Sequence, residues 1–152
     1  APIPEDNPDY APFTKLAREF TGFRIMEGVP PERLAEKISP YDFGILFFDY
    51  DASKARIGEN QRKGVIATKI YSYLEAGLPV LVNAEYENMA SLVVENGLGL
   101  AVHSSDIDKI PDLIKNFDRE KAVSHIKLFN KKHAMDGEID RLITLYDEVT
   151  AS

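Results

Sequence analysis

Thr68-Lys69-Ile70-Tyr71-Ser72 is the segment whose residue types and spacing best suit chemistry. It lies in an apolar-periodic stretch, residues 65–76, that predicts a helix with Ile66, Ile70, Tyr73 and Leu74 on the buried stripe. The amino end of a helix offers unpaired backbone N–H groups and about half a positive charge. Lys69, in the second turn of such a helix, can reach back to the same place. Gly64, just ahead of it, lets a ligand approach the backbone closely. Together these residues make a cradle for a diphosphate. The plainer alternative, a solvated surface lysine, stays open at this point.

Other candidates are weaker. Asp49 closes an apolar run, as does the phosphoacceptor of two-component receiver domains. No acidic pair follows an earlier strand, however, and the last apolar run ends in His103 rather than lysine. Asp49 and Asp51 therefore read as loop carboxylates. His103 stands where it can hydrogen-bond a sugar or a phosphate, or simply occupy a loop. His125 and His133 lack a metal-ligand spacing. Glu75 falls on a polar helix face. There is no glycine-rich phosphate loop, nucleophile elbow or zinc motif, so the sequence names no catalytic residue and no metal ligand.

The elements that must position these residues alternate. Four prolines among residues 1–12 predict an extended lead-in, and residues 13–152 read as a single domain. A short helix is expected over residues 13–20. A strand is expected over residues 23–27, closed by Gly28, and a helix opens at Pro30-Pro31 and stops at Pro40. Residues 42–48 form the clearest strand, apolar on both faces as a central strand of a parallel sheet must be. A polar stretch from Asp49 to Gly64 is too long for a routine connection. Residues 79–82 and 98–102 are further strands, and residues 88–95, 121–132 and 138–149 are helices. A helical segment over residues 107–117 breaks near Pro111. Strands alternating with helices predict an α/β domain of Rossmann-like type: an open parallel sheet of about four strands with helices on both faces. Ligands bind such sheets beyond the carboxyl ends of the strands. The loops after Phe48, Val82 and Val102 should therefore share the functional edge.

Composition bounds the function. The 152 residues suffice for one core without staples. The chain has no cysteine, which removes disulfides, thiolate nucleophiles and cysteine metal sites. A net charge of −7 argues against binding nucleic acid broadly. No apolar run approaches the ~20 residues of a membrane span. The opening Ala1-Pro2-Ile3-Pro4 suggests a piece of a longer protein.

Residues 42–46 and the block from Ala67 to Val82 resemble the C-terminal domain of a GT-B glycosyltransferase, family-4-like, of the large retaining type that uses UDP- or GDP-sugars. Lys69, Tyr73, Gly77, Pro79 and Val80 fall in register with that family's lysine, tyrosine and Gly-x-Pro-Val. Residues 95–100 resemble its "Glu-x-Gly-x-Gly" stretch, and residues 142–149 its closing helix. The resemblance implies that Gly28 and Val29 contact the nucleotide base through backbone atoms. It implies that Thr68 and Lys69 hold the diphosphate. The ribose-binding glutamate position is Ser72 here, and the donor-sugar glutamate position is Gly64. Serine cannot supply a carboxylate that accepts from two hydroxyls; Glu59 or Glu75 would have to substitute.

The implied function is the donor-binding part of a cytoplasmic glycosyltransferase acting in polysaccharide or related synthesis. Its substrate would be a nucleotide-sugar, transferred to a glycan, lipid or small acceptor with no required cofactor or metal. The partner would be the N-terminal acceptor domain of the parent, without which this chain alone is expected to be inactive. The rival reading is a non-catalytic binding or assembly module, the departures at Gly64 and Ser72 marking lost donor chemistry. Exposed apolar surface would then favour a homodimer.

Overall fold

A computed structural model describes residues 8, 10–48 and 59–150 of the chain. Most of the expected lead-in lies outside the described residues, as do Asp49, Asp51 and the side chain of Glu59.

The chain begins with helix α1 (Ala11–Glu19), which starts earlier than the apolar pattern because Pro12 fits a first helical turn. Residues 23–30 follow without regular structure. A 3-10 turn (Pro31–Arg33) runs into α2 (Leu34–Ile38), and β1 (Gly44–Leu46) enters the sheet. Then come α3 (Glu59–Gly64), α4 (Lys69–Glu75) and β2 (Val80–Asn83). Next are α5 (Glu87–Glu95), β3 (Gly99–Val102) and a 3-10 segment (Ser104–Lys109). The chain closes with α6 (Ile110–Lys115), α7 (Arg119–Lys132) and α8 (Met135–Thr150).

The described strands form one parallel sheet in the order β1-β2-β3. This is the open, helix-flanked Rossmann-like α/β architecture expected from the alternating pattern, with three corrections. Residues 23–27 are not a strand; the Tyr41 hydroxyl reaches Met26 Sδ at 3.0 Å, but no ladder forms. β2 is the central strand, and its four residues are all buried. β1 lies at an edge of the sheet formed by the described residues, with Ile45 57% exposed. Pro111 sits in the first turn of α6, so it starts a helix instead of breaking one.

Side chains from one sheet face (Leu46, Val80 and Val82) join Ile70 and Leu74 of α4, Met89 and Val93 of α5, and Ile126 of α7 in a single core. Each such side chain contributes about 1.5–3 kcal/mol on full burial. Two glycines shape the returns to the sheet. Gly77 and Gly97 have φ of +76° and +65°. After α4, Gly77 N–H donates to Leu74 C=O and Leu78 N–H to Tyr73 C=O. After α5, Gly97 N–H donates to Val94 C=O and Leu98 N–H to Val93 C=O. This paired bonding stops a helix and buries the next apolar residue, here Leu78 and Leu98. Both helices thus end at the amino edge of the sheet, so their starts face the carboxyl edge.

The Tyr73 ring lies over Gly44, where any Cβ would come within 2.2 Å of Tyr73 Cγ. Gly44 N–H bonds to Pro79 C=O on the β2 side, so Ile45, next along the strand, turns its carbonyl outward. The Tyr73 hydroxyl donates to that carbonyl at 3.3 Å and occupies the edge. Burial raises the Tyr73 pKa above its ordinary value.

Candidate functional site

The loops leaving β1, β2 and β3 are tied together at the carboxyl edge. Asn83, 1% exposed, ends β2 and holds both neighbours. Its Oδ1 accepts from Phe48 N–H at 2.7 Å, beyond β1. Its Nδ2 donates to Ser104 Oγ at 3.2 Å, beyond β3. Glu85, two residues further on, accepts from Ser104 N–H at 2.7 Å through Oε1, which also faces His103 Nδ1 at 3.7 Å. Glu85 therefore satisfies the first N–H of the 3-10 segment, a backbone donor with no partner inside that segment. Its Oε2 is buried with no hydrogen-bond partner among the described residues.

Burial alone pushes the Glu85 carboxyl up. Donation from Ser104 and from its own backbone N–H, with the nearby His103 imidazole, brings it below its ordinary 4.5. A depressed folded pKa contributes stability that is full above the unfolded value and is lost as pH falls through the folded one. The chain should therefore lose stability on acidification below about pH 4.5 more steeply than Glu85→Gln. Melting curves of both proteins across that range check this. Parallel slopes would show that the carboxylate does not carry the effect.

Lys69 is the first residue of α4, not a second-turn residue, and Thr68 stands at the N-cap without a side-chain cap. The helix expected over residues 65–76 starts four residues late, because residues 65–67 pack as irregular chain, with Val65 and Ala67 against the core. This correction puts Lys69 at the carboxyl edge, on a helix start where Ile70 N–H already donates to Ala67 C=O and Tyr71 N–H to Thr68 C=O, which leaves the Lys69 N–H as the open backbone donor among the described residues of α4. It is exposed and makes no hydrogen bond or ion pair among the described residues. Ser72 lies three residues on, on the same helix face, half-buried.

The remaining expected residues are placed differently. Gly64 ends α3, which packs against α5 and carries the Lys63–Glu87 ion pair at 3.5 Å. It does not adjoin the start of α4, and a Cβ there would meet nothing within 4 Å. Gly28 and Val29 lie in the unpaired segment before the 3-10 turn, whose continuation α2 packs against α4. The structure thus brings Thr68, Lys69 and Ser72 together and leaves Gly64 on another helix. It also gathers Asn83, Glu85 and Ser104, which the sequence reading did not select. A usable signal was present: a polar residue directly ending the most apolar strand, two positions before a carboxylate. Among the described residues no group of three His, Asp or Glu side chains can hold a metal ion. No described helix is long and apolar enough to cross a membrane.

A cavity of about 960 Å³ lies elsewhere, at the amino edge of β3 between α5, α6 and α7. It contains neither Lys69 nor Asn83.

A parallel sheet flanked by helices, with a lysine-bearing helix start and tethered loops on its carboxyl edge, defines a Rossmann-like α/β domain. Over residues 10–137 the chain matches the family model described as "Glucosyltransferase 3-like, C-terminal domain". The chain belongs to that family and is a C-terminal domain of glycosyltransferase-related type. No curated protein and no solved structure matches it.

Proposed function

We propose that this domain is the donor-binding part of a GT-B, family-4-like glycosyltransferase that takes a sugar from a UDP- or GDP-linked donor. The family match over residues 10–137 carries the reading. The position of Lys69 at the start of α4 on the ligand-binding edge supports it.

In this mechanism the donor diphosphate lies against the Lys69 backbone N–H at the start of α4 and the Lys69 ammonium. As the sugar–oxygen bond breaks, negative charge grows on the leaving diphosphate. Fixed donors aimed at that charge lower the barrier without reorganising, which is commonly the largest single contribution to catalysis. No metal is required where these groups neutralise the charge. Ser72 offers one hydroxyl to the ribose, and Gly28 and Val29 offer backbone to the base. The acceptor, whether glycan, lipid or small molecule, would be bound by a further domain of a parent protein acting on the cytoplasmic side in polysaccharide synthesis. Transfer would then occur in the cleft between the two domains, and this domain alone would not catalyse it.

A second reading, a non-catalytic binding or assembly module, is favoured by Ser72 and by the placement of Gly64 on α3. Calorimetric titration with UDP, GDP and the corresponding monophosphates separates the two. The donor reading expects a diphosphate to bind at least tenfold more tightly than its monophosphate. No heat from any of the four at millimolar ligand favours the assembly module.

A further inference from the structure

We propose, resting on the donor reading, that His103 binds a hydroxyl of the donor sugar and that Glu85 holds its ring in the tautomer suited to that contact. The positions expected to bring a carboxylate to the donor do not supply one on the described chain. Residue 64 is glycine and residue 72 serine. Glu75 closes α4, whose end faces the amino edge, so it stands away from Lys69. The polar side chains that converge on the carboxyl edge come instead from the loops after β2 and β3: Asn83, Glu85, His103 and Ser104.

His103 is fixed at its base and open at its tip. It stands at the N-cap of the 3-10 segment with φ −67° and ψ 145°, and its carbonyl accepts from Asp106 N–H at 2.8 Å. Its side chain is 65% exposed, which leaves the ring accessible to a ligand. Nδ1 faces Glu85 Oε1 at 3.7 Å. That oxygen is itself anchored, because it accepts from Ser104 N–H at 2.7 Å. Ser104 Oγ is held in turn by the buried Asn83 at 3.2 Å. A carboxylate fixed in this way orients the imidazole as an outer partner orients a ligating histidine.

The chemistry selects a hydroxyl over a phosphate. A carboxylate facing Nδ1 favours the neutral ring that carries its proton there, which leaves Nε2 as an acceptor. An ionised phosphate has no proton to give that nitrogen, whereas a sugar hydroxyl has one. Charge acts in the same direction. Asp106, held below its ordinary value first by donation from Lys109, also lies near enough to feel His103. Lys109 Nζ sits on Asp106 at 2.8 Å, so its charge is spent there. An anion brought beside Glu85 and Asp106 is repelled; an uncharged hydroxyl is not. Strand order supplies the reach. α4 packs on β1 and β2, and β3 lies one strand spacing, about 4.8 Å, beyond β2. A sugar extending from phosphates at Lys69 across the end of β2 meets His103.

Calorimetric titration of UDP, UDP-glucose, GDP and GDP-mannose into wild type, His103→Ala, Glu85→Gln and Lys69→Ala tests this, with melting curves to check that each variant keeps its fold. The ratio of the dissociation constants of a diphosphate and its sugar-linked form isolates what the sugar contributes. His103→Ala should lower that ratio at least fivefold and leave the affinity for the diphosphate itself within twofold. Glu85→Gln keeps an oxygen for Ser104 N–H but removes the charge facing Nδ1, so it should lower the ratio in the same direction. A merely structural role would weaken both ligands alike and leave the ratio unchanged. An unchanged ratio in His103→Ala overturns the assignment, as does a wild type that binds a diphosphate but neither sugar-linked form. If Lys69→Ala still weakens the diphosphate in those cases, the donor reading stands without His103. No binding of either diphosphate to wild type overturns both.

Discussion

Gly99→Ala should cost this domain about 3 kcal/mol or more and lower its melting temperature by roughly 6–12 °C. β2 and β3 approach so closely at this point that a Cβ on residue 99 would stand 1.9 Å from the Val80 carbonyl oxygen and 2.6 Å from its nitrogen. Both atoms are backbone, so neither can swing aside. Val80 is fully buried and pairs with β1 on its other side, which blocks a rigid shift of β2. The only relief is to part β2 from β3, which gives up ladder hydrogen bonds and core contacts together. A domain of ordinary stability holds 5–15 kcal/mol in all, so a loss of this size is a large part of it. Gly64→Ala is the matched control, because a Cβ there meets nothing within 4 Å. If Gly99→Ala melts within 2 °C of wild type, the strand spacing described here is wrong.

Asn83→Leu should cost about 1–3 kcal/mol for each group it strands. The side chain is nearly isosteric, so packing changes little and the loss falls on hydrogen bonding. Phe48 N–H loses its acceptor and Ser104 Oγ its donor, at opposite sides of the central strand. The loop after β3 would still be held by Glu85, whose Oε1 accepts from Ser104 N–H, and the loop after β1 by the contact of the Phe48 and Tyr86 rings. Thermal melting gives the cost. Hydrogen exchange at Phe48 locates it: that amide should exchange faster in the variant, while the Ser104 amide, still held by Glu85, and those of α7 do not. Unchanged exchange at Phe48 would mean that Asn83 does not tether the edge.

Continuous apolar runs bounded by glycine or proline made β2 and β3 legible, since only a buried parallel strand needs apolar side chains on both faces. The helices over residues 87–95 and 119–132 were legible because burial on one side leaves a period of about 3.6. Residues 65–67 defeated the same logic. Val65 and Ala67 are apolar because they pack on the core, not because they are helical, so the pattern extended α4 toward Gly64. Residues 23–27 have strand-like composition but pair with nothing among the described residues, and pairing is a tertiary property that local composition cannot supply. β1 looked central because Ile45 is apolar; the Tyr73 hydroxyl on its outward carbonyl allows that residue to sit at an edge. Lys69 was legible as a candidate through its spacing from Gly77 and Pro79. Asn83 and Glu85 were not, because their role arises only when three loops converge.

The proposed donor site rests on the Lys69 ammonium and the Lys69 backbone N–H at the start of α4 holding a nucleotide's paired phosphates. Calorimetric titration of UDP and GDP into wild type and Lys69→Ala tests it most directly. Binding of the preferred diphosphate should weaken at least tenfold in the variant, a loss of about 1.4 kcal/mol, with the melting temperature unchanged. Equal affinity in the two proteins would contradict the account and remove Lys69 from the site.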